Sequence, residues 1–270
     1  YVSYSGTNLD IICGLYYLES NFNNVKTSLS KNLIENRKLI KYYEKINKKI
    51  NNMSDFNNIE ILWHKQKLII IDGFDKIIEF NKRFIIIPIG IENDKGFHSN
   101  ILIIDKLLKT IERFEPNGAS GPIGYYYNST LLDSTLSHKL KKYLDDFKYL
   151  RPKDYLPKIG LQIHEALEEN KKQLGDPGGF CSSWSLWYCS LVLKYPDIKR
   201  DKLINKIIYN IKKNQLSFKD IIRNFTLKII KFRDIVLENT NIDINDWINN
   251  NYTKESYKIL TNNIYNLINN

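Results

Sequence analysis

Gly175-Asp176-Pro177-Gly178-Gly179-Phe180-Cys181-Ser182-Ser183-Trp184-Ser185-Leu186-Trp187-Tyr188 is the stretch around which the rest of the chain is organised. Pro177 and the two glycines after it are poorly suited to a helix interior, and glycine permits a sharp bend. From Cys181 onward the spacing of Trp184, Leu186, Trp187, Leu191 and Leu193 predicts a helix buried on most sides. A cysteine therefore stands where a tight turn becomes a helix. A thiol in the first helical turn feels the positive end of the helix dipole, which favours the thiolate. The small residues before it leave room for a substrate backbone. A lone cysteine after a loop is more often a buried structural residue, so the question is whether the chain also supplies a base.

The chain has 270 residues, of which 43% are hydrophobic, enough for one large domain or a domain with helical additions. No apolar run reaches membrane-spanning length, and no secretory leader is legible. The first residue is Tyr1 rather than Met, which leaves a truncated or processed start open. Cys13, Cys181 and Cys189 are too few and too scattered for a disulfide framework, and suggest a reducing compartment. None has CxxC spacing, no zinc site is legible, and no cofactor is called for. The net charge is +10. The lysines are spread along helices instead of forming a block with interleaved aromatics. Asn, Lys and Ile abound throughout, as in AT-rich genomes. Neither nucleic acid nor a membrane is an expected partner.

Taken in order, Leu9 to Leu18 reads as a helix or strand packed on the core. Residues 25–50 read as an amphipathic helix through Leu29, Leu33, Leu39, Tyr43, Ile46 and Ile50, followed by a polar loop over 51–58. Short strand-length runs follow at 59–63 and 67–71, with a helical turn at 74–80. Three β-branched runs, 83–91, 100–105 and 110–115, suit central strands covered on both faces. Pro88 predicts an edge or a bulge in the first of them. Residues 116–122 are a loop, and 129–147 return to helical spacing. One further strand fits within 149–163. After the cysteine helix, which Pro196 ends, three helices are predicted at about 200–213, 217–238 and 252–268. The Asn-rich patches near 241–251 and at the C-terminus read as mobile. Strands gathered in one block with helices on either side make the fold α+β. The expected form is a small mixed or antiparallel sheet against a central cysteine-bearing helix, with further N- and C-terminal helices. The domain expectation is a helical region over 1–58, a core over 59–198 and a helical extension over 199–270.

A nucleophilic cysteine needs a base, an orienter for that base and donors for an oxyanion. Of the four histidines, His64 lies between short strands, His138 sits on an exposed helix face, and His164 follows Gln162. His98 stands at the mouth of the apolar strand 100–104, where a strand can fix its backbone while its ring faces a cleft. If 100–104 and 110–115 form a hairpin, Glu115 ends beside the start of the first strand and becomes the neighbour of His98. A glutamate there can hold the second ring nitrogen and fix the tautomer.

His98, an apolar strand, Arg113-Phe114-Glu115-Pro116-Asn117-Gly118, then Gln162 and then Cys181 resemble the ubiquitin-like-protein protease superfamily, clan CE, which includes the Ulp/SENP deSUMOylases, adenovirus protease and YopJ-like proteins. The block 83–196 also resembles uncharacterised proteins of large nucleocytoplasmic DNA viruses of the mimivirus kind. The resemblance covers about 80–200. It implies a papain-like cysteine protease fold. Cys181 would be the nucleophile, His98 the base, Glu115 its orienter and Gln162 an oxyanion donor. Gly178, Gly179 and Trp184 would contact substrate, the glycines lining a narrow channel for a Gly-Gly tail. Three departures are plain. Ser99 stands where the family has Trp, the glycines precede the cysteine instead of following it, and Gln162 lies 19 residues before Cys181, which requires an insertion over 163–175.

The implied activity is cleavage of an isopeptide or peptide bond after the C-terminal Gly-Gly of ubiquitin or a ubiquitin-like modifier, in host cytoplasm or virion. The alternatives are a viral maturation protease acting on structural polyproteins, a catalytically idle binding module of the same fold, and the acetyl transfer of YopJ-like members.

Overall fold

The runs rich in β-branched residues become the middle of one sheet. The computed structural model describes residues 4–29, 37–46, 61–70, 74–174 and 176–269. In chain order the elements are α1 (Asn8–Asn21), β1 (Val25–Thr27), α2 (Arg37–Lys45), β2 (Ile61–His64), β3 (Lys67–Ile70), α3 (Phe74–Ile78), β4 (Phe84–Asn93), β5 (Gly96–Asp105), β6 (Thr110–Phe114), α4 (Ser129–Leu140), β7 (Lys148–Leu150), α5 (Pro152–Tyr155), α6 (Leu161–Ala166), α7 (Cys181–Lys194), α8 (Arg200–Lys213), α9 (Phe218–Leu237), α10 (Ile244–Asn249) and α11 (Lys254–Asn269). The strands lie in the order β3-β2-β4-β5-β6-β7, with β1 beside the first part of β4. Antiparallel β4–β5 and β5–β6 pairs form its centre; β1 and β2 join β4, and β7 joins β6, in parallel. The cysteine helix α7 packs on β5, and α1 and α9 pack on α7. The architecture is thus the expected α+β arrangement of a mixed sheet against a central cysteine-bearing helix, with further helices at both ends.

Pro88 is neither at an edge nor in a bulge: it pairs opposite Ile101 in the middle of β4. The backbone accounts for this. On the β1 side Phe84 donates to the Asn24 carbonyl and Ile86 accepts from Ser28. By alternation the Pro88 nitrogen faces the same side, beyond the last β1 pair at Ile86 and before the first β2 pair at Ile89. The missing N–H falls where no strand needs it.

Three other expectations change. Among the described residues of the helix expected over 25–50 there is a strand at Val25–Thr27 and a helix at Arg37–Lys45. Val25 to Thr27 are drawn into the sheet by β4. The expected loop at 51–58 lies outside the described residues, as do Leu33 and Ile50. The strand within 149–163 is found at Lys148–Leu150, at the start of that stretch, as a partner of β6. Lastly, residues 241–251 are not a loose tract. Asp243 and Asp246 form a capping box that starts α10, and Trp247 is fully buried.

Candidate active site

β5 begins at Gly96, so His98 is the third residue of a ten-residue strand and not a residue before its mouth. The β4–β5 turn is Asp94–Lys95. The register pairs Ile101 with Phe114, which sets Glu115 level with Asn100 at the end of β6. The expected neighbour relation follows: His98 Nε2 lies 2.8 and 3.0 Å from the two Glu115 oxygens. Across the sheet face, the first residue of α7 brings Cys181 to the same ring, and the two groups act on each other, the imidazole lowering the thiol and the thiol raising the imidazole.

The three groups shift one another. Burial alone would raise the Cys181 thiol. The His98 hydrogen bond and charge, with backbone N–H groups of Ser99 and Ser182, outweigh burial and lower it. Burial would depress His98, but Glu115 and Cys181 hold it up at about 10. Glu115 is pushed up by burial and pulled down to about 2, chiefly by His98. All three directions favour thiolate, imidazolium and carboxylate in a row. Cys13 and Cys189 are fully buried, and burial leads the causes that hold both thiols well above the ordinary value.

Glu115 is held from several sides. Asn100 Nδ2 and the Tyr127 hydroxyl donate to Oε2 at 2.9 and 2.6 Å, and the Asn117 backbone N–H donates to Oε1 at 3.0 Å. Behind them Arg113, fully buried, donates to Tyr127, to Asn100 and to both oxygens of Asp133. Neither Tyr127, Asn100 nor Asp133 stood out in the sequence. Asn117 did lie inside the quoted Pro-Asn-Gly turn, and an Asn two residues after a carboxylate is a local hydrogen-bonding signal.

Gln162 joins the site despite its distance in sequence. Loop 116–119 and loop 157–162 are zipped by Ala119 N–H to Pro157 O, Gly160 N–H to Asn117 O and Gln162 N–H to Pro116 O, at 2.8, 2.8 and 3.0 Å. The loops approach so closely that a Cβ on Gly160 would lie 2.3 Å from Gly118 N, and Gly118 itself has φ +92°. Asn117 Nδ2 donates to Glu115 and to Gln162 Oε1, at 3.1 and 3.3 Å. That contact turns the Gln162 amide nitrogen toward the glycine turn, where a Cβ on Gly179 would stand 2.9 Å from Nε2. Residues 163–174 and Asp176 are tied to α9: Glu168 accepts from Ser217 and the first N–H groups of the helix, Glu165 pairs with Lys219, and Asp176 pairs with Arg223. Gly175 lies outside the described residues.

His98, Cys181, Gln162, Gly178 and Gly179 all line one open cavity of about 1050 Å³. Gly178 is exposed, and a Cβ there would meet open space. Trp184, expected to touch substrate, does not reach this cavity. It is fully buried on the inner face of α7 against Trp187 and Phe218. The other histidines lie elsewhere: His64 bonds the Tyr42 hydroxyl, His164 stacks on Phe218 and His138 is exposed. Among the described residues no group of side chains has the make-up of a metal site, and no helix is long and apolar enough to cross a membrane.

The chain is 38% identical over 264 residues to a putative ankyrin repeat protein of Acanthamoeba polyphaga mimivirus. The match takes in 93% of this chain and 34% of the relative, so the chain spans about a third of that protein's length. No family model matches. Among solved structures, the Chlamydia trachomatis effector protein ChlaDUB1 is similar with a TM-score of 0.38 and 10% identity, over 79% of this chain and 86% of that one. The Chlamydia abortus effector ChlaDUB is similar with a TM-score of 0.34 and 12% identity, over 84% and 99%.

Proposed function

We propose that the chain is a thiol protease of the papain-like kind that cleaves the peptide or isopeptide bond after the C-terminal Gly-Gly of ubiquitin or a ubiquitin-like modifier. The observation that carries the chemistry is the row Cys181–His98–Glu115, with the thiol lowered and the imidazole held protonated between sulfur and carboxylate. In this mechanism the Cys181 thiolate attacks the carbonyl carbon, and Gln162 Nε2 and the Cys181 backbone N–H stabilise the oxyanion. His98 then gives its proton to the leaving amine, and an acyl-enzyme thioester remains. A water that loses its proton to His98 hydrolyses the thioester. Glu115 keeps the ring oriented through both steps. The substrate class rests on the resemblance of the site's residue order. The open cavity beside Gly178 and Gly179 has room for an extended tail with no side chains.

Ubiquitin and SUMO carrying a C-terminal vinyl sulfone test this directly. Labelling is expected for the unmodified protein and should vanish in Cys181→Ala, while Cys189→Ala labels normally. Labelling that persists in Cys181→Ala would remove the nucleophile from the proposal. Silence toward both probes, with cleavage of a Gly-Gly-X peptide that depends on Cys181, would keep the chemistry and change the substrate.

A further inference from the structure

The first described residues of the chain reach the same cavity. Ser5 and Gly6 line it beside Phe180, Cys181 and Ser182. Tyr4 is buried between the two neighbours of the cysteine. Its hydroxyl shares a 2.7 Å hydrogen bond with Ser182 Oγ, and its ring stacks on Phe180 at 6.0 Å and 18°. Both contacts fall on the first turn of α7. Phe180 is the helix N-cap and provides no side-chain cap bond there, so this turn is fixed largely from outside. The Ser182 backbone N–H is also among the groups that lower the Cys181 thiol.

Tyr4 is itself held by distant helices. Asp10 accepts from Ser5 Oγ at 2.5 Å and from the Ser5 and Thr7 N–H groups at 3.2 Å. Arg233 of α9 donates to the other Asp10 oxygen, and Trp247 of α10 donates to Thr7 Oγ1, each at 3.2 Å. A continuous set of contacts therefore runs from α9 and α10, through Asp10 and Thr7, to the turn carrying Cys181.

We infer that Tyr4 is a positioning residue for Cys181, and that the strap Tyr4–Thr7 makes the terminal helices part of the active site. This rests on Cys181 being the nucleophile. With the hydroxyl removed, Ser182 is freed to drift, its N–H leaves the sulfur and the thiolate loses a donor.

The test is the pH profile of iodoacetamide alkylation in the folded protein, where Cys13 and Cys189 are shielded by burial. Tyr4→Phe keeps the stack and removes the bond. It is expected to slow alkylation at pH 6 by about threefold to tenfold, with the rates converging at alkaline pH. Ser182→Ala removes the same bond from the other side and should act alike, and the double variant should be no worse than either single one. If Tyr4→Phe lowers the melting temperature but its profile superimposes on that of the unmodified protein, the strap only supports the fold. Should Tyr4→Phe fail to fold, the Ser182→Ala profile decides by the same criterion. An ordinary thiol profile in the unmodified protein would instead defeat Cys181 as the nucleophile, a separate failure.

Discussion

Two clusters of buried charge lie along α7, and each holds a cysteine, a carboxylate and a cation. At the helix start they are Cys181, Glu115 and His98. About two turns further on they are Cys189, Glu112 and Arg200. In the second cluster Glu112 accepts from Tyr188 at 2.6 Å and from Arg200 at 2.9 Å, and burial leaves its carboxyl raised all the same. The parts match, but their order does not. Cys181 meets the cation first, with the carboxylate behind it. Cys189 feels the Glu112 carboxylate more strongly than the Arg200 charge, and both burial and that carboxylate oppose its ionisation. The two sulfurs thus differ in the sequence of charges they see and in their place on the helix, Cys181 standing in its first turn and Cys189 in its middle.

The sharpest way to break this comparison is to neutralise each carboxylate in turn. Glu115→Gln leaves His98 unoriented and uncharged, and turnover should fall on the order of 10²- to 10⁴-fold with a folded protein. Glu112→Gln should leave turnover near normal and cost stability instead, about 3 kcal/mol, because Arg200 loses its buried partner. Asp105, 3.6 Å from Arg200, remains to limit the loss. Steady-state kinetics and urea unfolding on the same two variants read both outcomes. Equal effects on turnover would mean that the clusters do not differ in kind.

The pH dependence of stability probes the first cluster next. Folded His98 titrates at about 10 against an ordinary 6.5. Its contribution is therefore full below about pH 6.5 and is lost as the pH rises through about 10. Folded Glu115 titrates at about 2 against 4.5, so its contribution is full above about pH 4.5 and is lost as the pH falls through about 2. Both report one shared interaction, strongest between about pH 4.5 and 6.5. The lowered Cys181 thiol acts in the opposite sense over this range, so the measurement is made in a Cys181→Ala background: urea unfolding at pH 6.5 and 9.5 should there show a decline that adding His98→Ala flattens. A decline of unchanged size in the double variant would place its source outside the site.

The first cluster was largely legible in the sequence and the second was not. The hairpin 100–115 announces itself through two apolar runs around a polar turn, and a strand's two-residue period then puts Glu115 beside His98. Nothing comparable marks Glu112 and Arg200, which are 88 residues apart and meet only because α8 folds back on β6. Trp184 failed for a related reason: periodicity predicted the helix but not which face α9 would cover. Trp247 was hidden by the polar composition around it, although the Asp243–Asp246 capping box was there to be read. Tyr4 reaches Ser182 across 178 residues, and no local pattern encodes such a contact.

The smallest expected effect lies in the glycine turn, and it tests how finely the first cluster is built. A Cβ at Gly178 meets nothing within 4 Å, whereas one at Gly179 falls 2.9 Å from Gln162 Nε2. The atom in the way ends a flexible side chain, so Gly179→Ala should fold with little change in melting temperature. The displaced amide would lose its aim at the oxyanion, and kcat should drop about tenfold, below the 10²- to 10³-fold cost of deleting such a donor outright. Gln162→Ala supplies that upper limit. Because Gln162 is already absent, adding Gly179→Ala to it should cost little more. Gly178→Ala is expected to leave kcat unchanged, and any effect of it should fall on KM, since its methyl group projects into the cavity a substrate tail would enter. A Gly179→Ala defect that persists undiminished in the Gln162→Ala background would mean that the glycine serves the substrate path and not the amide, and that the two loops zipped at Gly118 and Gly160 place Gln162 for some other purpose.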